Sequence, residues 1–128
     1  MPYNVNMIDL IINEAREHKY ESPWIEFKTN NCNQQEIGEY ISALSNTAAL
    51  FNQEHAFMIW GIDDTTHDVV GTKFDPQAAK IGNQGLDLWI STQLDPQVPF
   101  YFHTTTIEEK EVVLLEVSRA FASPVKFK

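Results

Sequence analysis

The sequence predicts an α+β domain: a mixed sheet containing one βαβ unit and antiparallel hairpins, with about three helices. Three observations lead there. Between residues 24 and 62 a strand-like run, an amphipathic helical run and a second strand-like run follow in order. Runs at 99–107 and 111–118 flank the short polar turn Glu108-Glu109-Lys110, as a hairpin would. Apolar residues recur at helical spacing in separate stretches elsewhere.

Residues 5–18 read as the first helix, with Val5, Ile8, Ile11, Ile12 and Ala15 on one face and Asn6 and Asp9 offering a cap-like start. Glu21-Ser22-Pro23 interrupts it, because a residue before proline is pushed out of helical dihedrals. Residues 24–28 alternate as a short strand, Ile25 and Phe27 on one face and Trp24, Glu26 and Lys28 on the other. Thr29–Asn33 is a polar loop. Asn33 then caps a long helix with Glu36 in the capping-box position, and Ile37, Tyr40, Ile41, Leu44, Ala48 and Phe51 form its stripe. The apolar run Phe57–Ile62 suits a strand covered on both faces, so strands 24–28 and 56–62 are expected to be parallel with a right-handed crossover.

Asp63–His67 reads as a turn and Asp68–Thr72 as a short strand. Asp75-Pro76 opens a loop or short helix. Asn83–Leu94 is expected as a helix with Leu86, Trp89, Ile90 and Leu94 on one side, ended by Asp95-Pro96. Val112–Val117 is a buried strand, and residues 123–128 look like the start of another, as if a longer protein continues beyond Lys128.

The chain of 128 residues is long enough for one core, and its apolar share of 43% can offset the entropy of ordering it. No stretch approaches the roughly 20 apolar residues of a membrane span. The N-terminus lacks the basic flank of a secretory signal. One cysteine, Cys32, can form no internal disulfide. The cytoplasm is the expected compartment. The net charge of −9 is unevenly spread: residues 1–72 hold eleven acids and three bases, residues 73–128 seven acids and six bases. That balance is opposite to a general nucleic-acid footprint.

No glycine loop of the nucleotide-cradling type, no nucleophile elbow and no HExxH helix occur. The four histidines are scattered, read as surface or turn residues, and Cys32 has no neighbouring base. The constellation that could carry chemistry is Glu21, Glu26 and the pair Asp63/Asp64. Parallel strands would bring Glu26 and Asp63/Asp64 to one sheet edge, where open α/β sheets bind ligands. Hard oxygen donors suit Mg2+ or Mn2+, and Lys28 beside them suits a phosphate. The same residues also suit plain turn and edge positions.

Glu21-Ser22-Pro23-Trp24-Ile25-Glu26-Phe27-Lys28 resembles the ESxxxEFK signature of the Schlafen-type AlbA-like domain. Glu36–Ala48, Ile59-Trp60-Gly61-Ile62-Asp63-Asp64 and Val69-Val70-Gly71-Thr72 follow in the matching order, so the resemblance runs from about Glu21 to Phe127. It implies a DNA-binding module of a bacterial transcriptional regulator, normally N-terminal in a longer chain. In animal Schlafen proteins the corresponding acids form a metal-dependent ribonuclease site. Carried over by position, Glu21, Glu26 and Asp64 would be catalytic metal ligands for Mg2+ or Mn2+, with no cofactor otherwise implied. A third reading is a dimerisation or interaction module packing on a missing C-terminal region. The expected partners are DNA or RNA, bound weakly through Lys28, Lys73, Lys80, Arg119 and Lys126, and a second copy of the chain as a homodimer.

Overall fold

The structure is a computed structural model and describes residues 5–17 and 22–128. Helix α1 (Val5–Glu17) is followed by strand β1 (Ile25–Lys28), helix α2 (Gln34–Leu50) and strand β2 (His55–Trp60). Two short strands, β3 (Lys80–Ile81) and β4 (Gln84–Gly85), lead into helix α3 (Leu86–Gln93) and strand β5 (Leu94–Asp95). Strands β6 (Phe100–Ile107) and β7 (Lys110–Ser118) form a hairpin, and β8 (Lys126–Phe127) closes the chain. This is the expected α+β architecture, with three helices among the described residues.

The main sheet has the order β1-β2-β7-β6. Its β1–β2 pair is parallel, with Glu26 opposite Met58 and Lys28 opposite Trp60. The other two pairs are antiparallel. Alternation along the strands divides the core in two. Met58, Trp60, Val113, Leu115 and Val117 face α2 and α3, meeting Ile37, Ile41, Leu44, Leu86 and Ile90. Phe27, Ile59, Val112 and Leu114 face α1, meeting Ile8, Ile12 and Ala15. Helix α2 starts as its sequence specifies, the Asn33 side chain accepting from the Glu36 amide at 3.0 Å.

The departures from the sequence reading have local causes. Helix α1 begins at Val5, so Asn6 lies inside it rather than capping it; the interruption placed at Glu21 falls partly outside the described residues. Strand β2 stops at Trp60 because Gly61 adopts φ 100°, a left-handed conformation that glycine takes without strain. Its carbonyl then receives the Val70 and Gly71 amides. The expected strand 68–72 is thereby reduced to one bridge, Ile62 to Val69. Phe51 caps α2 and is exposed instead of extending its buried stripe. The helix expected from Asn83 begins at Leu86, because residues 80–85 pair with each other first. The terminal strand is real and pairs with β5, Leu94 opposite Phe127.

Among the described residues no helix is long and apolar enough to cross a membrane. Leu44 is 4% exposed and packs α2 on the sheet. Replacing it with Ala is expected to lower unfolding stability by about 2–5 kcal/mol, by cavity formation, in a denaturant titration.

Candidate functional site

The parallel β1–β2 pair places the C-terminal ends of both strands at one end of the sheet. The loop 29–33, the turn 63–67, the segment 69–74 and the β6–β7 turn gather there. Asn30 stitches two of them together: its Oδ1 accepts from the Lys73 amide at 2.9 Å and from the Thr72 hydroxyl at 3.0 Å. Asn30, Gly71, Thr72, Lys73, Lys110 and Glu111 line a cleft of about 320 Å3. Lys110 Nζ donates to the Val69 carbonyl at its border (3.1 Å). Buried Trp60 donates through its indole N–H to the Asn31 carbonyl at 2.7 Å, so the loop is pinned to the core.

Glu26 and Lys28 point to the α2 face of β1. Lys28 Nζ lies 3.6 Å from Glu26 and 4.8 Å from the centre of the Tyr40 ring on α2. The Tyr40 hydroxyl is the largest influence and raises the Lys28 pKa above the ordinary lysine value; burial, next in size, opposes it, and the charges of Tyr40 and Glu26 add smaller raises. The cation is positioned between the Glu26 carboxylate and the Tyr40 ring.

The turn after β2 sits on the other side. His67 packs its ring 4.6 Å from Phe27, which belongs to the α1 face. Arg16 Nε donates to the His67 carbonyl at 2.8 Å, and the His67 ring lies 3.1 Å from the Arg16 carbonyl. Asp63 uses its carboxylate internally, accepting from the Thr65 and Thr66 amides at 2.8 Å each. Those two backbone bonds lower its pKa. Asp64 is exposed. Glu21 lies outside the described residues, so its place relative to Glu26 and Asp64 is not part of this geometry. Among the described residues, no three His, Cys, Asp or Glu side chains form a group that could hold a metal ion.

The five cations named from the sequence are dispersed. Lys28 and Lys73 flank the Asn30 loop. Lys80 lies on β3 and Lys126 on β8, each exposed. Arg119 is occupied at the C-terminal end of α2, donating to the Asn52 side chain at 3.0 Å and toward the Ala49 carbonyl at 3.5 Å. A cation there complements the helix dipole, which is a structural use. Lys110 and Tyr40 were not singled out by the sequence, since Lys110 reads as a turn residue and Tyr40 as part of a core stripe.

Two of the histidines are not surface or turn residues in the sense expected. Glu116 on β7 is 1% exposed; His103 on β6 meets its Oε1 at 2.6 Å, and His55 on β2 lies 3.7 Å from its Oε2. One acid inside the apolar run Val112–Val117 was the available signal, because a buried carboxylate requires polar partners.

Comparison with known proteins follows the same outline. The family model described as Schlafen, AlbA_2 matches residues 21–128. No curated protein sequence matches the chain. The DIP2311 protein from Corynebacterium diphtheriae superposes with a TM-score of 0.59 at 14% identity, over 96% of this chain and 26% of that one. The N-terminal domain of a Nitrosomonas europaea protein, named as related to the ATP-dependent DNA helicase RecG, gives 0.58 at 17% identity, over 92% of this chain and 78% of that one. At these identities the likeness is one of fold.

Because the Asp63 pKa lies below its ordinary value of 3.8, the charged turn is favoured above that pH and loses the favour as pH falls through the lowered folded value. NMR shifts of the Thr65 and Thr66 amides should therefore titrate below pH 3.8. In Asp63→Asn, which keeps the accepting oxygen, that titration should vanish while the turn persists.

Proposed function

The chain belongs to the Schlafen AlbA_2 family, and from that premise we propose that it is a nucleic-acid-binding module of a regulatory protein, contacting phosphates through the lysines around the Asn30 loop. The observation that carries the reading is the grouping of Lys73 and Lys110 on one cleft, with Lys28 two residues before Asn30. The name of the Nitrosomonas relative, which refers to a DNA helicase, is in keeping with it. Lys28 is oriented by Tyr40 and Glu26, and the loop offers amide side chains at Asn30 and Asn31 for phosphate or sugar oxygens.

The overall charge of −9 sets the strength. A module with so few free cations binds by counterion release at a few phosphates, with an affinity of about micromolar or weaker at physiological salt. Three phosphate contacts on duplex DNA give a slope of log K against log salt of about −2.7. Fluorescence anisotropy with duplex DNA, single-stranded DNA and structured RNA over a salt series checks this. Lys73→Ala and Lys110→Ala should each flatten the slope by roughly 1, while Lys80→Ala should leave it unchanged. Salt-insensitive binding, or equal losses in all three variants, would remove the assignment of the cleft.

The catalytic alternative has one observation in its favour: β1 and β2 end at the same side of the sheet, carrying Glu26 and the Asp63-Asp64 pair there. It requires Glu21, Glu26 and Asp64 on one Mg2+ or Mn2+. The Glu26–Lys28 contact weighs against it, since the lysine already neutralises that carboxylate. The binding reading expects Mn2+ to leave the Tm of the wild type and of Glu26→Gln alike. A Mn2+-dependent rise present in the wild type and lost in Glu26→Gln would favour the catalytic reading, since a ligand bound only by the folded state raises Tm.

A further inference from the structure

Strand β6 is an edge of the main sheet, and its free side has a defined pattern. The Ser118 amide donates to the Pro99 carbonyl, and the register runs Tyr101 to Glu116, His103 to Leu114 and Ile107 to Lys110. In an antiparallel pair alternate residues exchange bonds. Tyr101, His103, Thr105 and Ile107 therefore turn their backbone groups toward β7. Phe100, Phe102, Thr104 and Thr106 turn theirs outward, where no described strand pairs with them.

Natural sheets guard such an edge with lysine, proline, a bulge or a short strand. Here the edge runs for eight residues, Phe100–Ile107, with regular register and no proline within it. From Pro96 to Ile107 the sequence carries no Asp, Glu, Lys or Arg. The strand itself is uncharged, but Asp9 accepts from Thr105 at 2.6 Å and Asp87 stands beside Phe100–His103, so two copies repel across the edge until salt screens those carboxylates. The edge residues are aromatic or β-branched, the types that pair well across strands.

We infer that β6 is a self-pairing edge, joining two copies of the chain by antiparallel β6–β6 addition into one continuous sheet. The bonding pattern fixes the register. Outward-facing residues must pair with outward-facing residues, and the register with most bonds sets Phe100 opposite Thr106 and Phe102 opposite Thr104 of the second copy. That makes about eight backbone hydrogen bonds and places His103 on the two-fold axis. Tyr101 then stands opposite Thr105 in a non-bonded pair, with Cα atoms about 4.5 Å apart, within reach of a disulfide. Strand pairing alone buries less than a standard interface, so the dimer is a weak one. Because two chains of charge −9 repel at longer range, association strengthens as salt rises.

The test uses two single-cysteine chains, Tyr101→Cys and Thr105→Cys, each in a Cys32→Ser background because Cys32 is exposed. On mild oxidation the mixture should give a covalent dimer, and each chain alone should give little. Sedimentation equilibrium of the wild type should show the association constant rising about tenfold between roughly 50 mM and 500 mM NaCl. Amides of Phe102, Thr104 and Thr106 should exchange more slowly as concentration rises. Thr104→Pro, which removes an outward donor, should sediment as a monomer with unchanged circular dichroism. A wild type that stays monomeric in high salt overturns the inference. So does a folded Thr104→Pro chain that still dimerises, or cross-linking as efficient in either cysteine chain alone as in the mixture. The cysteine experiment decides the matter even where the proline variant does not fold.

Discussion

Strand β7 is the constraint on which the rest of the structure depends. Its residues Val112–Val117 are all buried, so both faces of the sheet must be covered and neither helix layer is optional. Val113, Leu115 and Val117 call for α2 and α3, whereas Val112 and Leu114 call for α1. Glu116 shares the α1 side with Val112 and Leu114. A carboxylate at 1% exposure is tolerable only with partners, and the flanking strands supply His103 and His55 diagonally across it. One acidic residue thus draws polar partners from both neighbouring strands, β2 and β6.

The last segment of the chain secures the second layer. The Val125 amide and carbonyl are both taken by the Asn46 side chain, at 2.8 and 2.9 Å, and Ser42 donates to the same carbonyl. Phe127 lies so close to α2 that a Cβ at Gly38 would overlap its ring. This glycine is required for close approach, not for an unusual backbone angle. Strand β8 also pairs with β5, so the segment ties α2 to the end of α3. These contacts run along α2 from Gly38 to Asn46, and Tyr40 on the same helix meets Lys28.

The sequence made the scaffold readable where local pattern and burial agree. The Asn33 cap, the α2 stripe, the parallel β1–β2 pair and the β6–β7 hairpin all carry strong periodicity or turn signals. Short strands were missed because two-residue pairings such as Lys80–Ile81 with Gln84–Gly85 have no period to detect. Gly61 ended β2 through its backbone angle, which composition does not reveal. The candidate site was legible in part. Glu26 and Lys28 were correctly placed on one face, since alternation fixes that. That Arg119 serves a helix end depends on contact between distant segments, whereas the capture of Asp63 by its own turn is a local bond that the run Asp63-Asp64-Thr65-Thr66 could have signalled. The Lys73–Asn30–Lys110 arrangement joins residues far apart in the chain and has no local signature.

The proposed phosphate contacts and the proposed β6 pairing are related through charge and topology. The lysine-bearing end of the sheet is the end where β6 finishes at Ile107, beside Lys110. Antiparallel pairing of two β6 strands would send these ends in opposite directions, separated by about the length of the edge, roughly 27 Å for eight residues. The two lysine groups would then be too far apart to share a phosphate but close enough to touch one extended nucleic acid. Linked sites of that kind gain by effective concentration, and two micromolar contacts can act as one tighter one when geometry permits both. Added salt would weaken each phosphate contact while favouring the pairing of the acidic chains. Counterion release counts the contacts of both chains, so the salt response of the assembled pair would still be steeper than that of either chain binding alone.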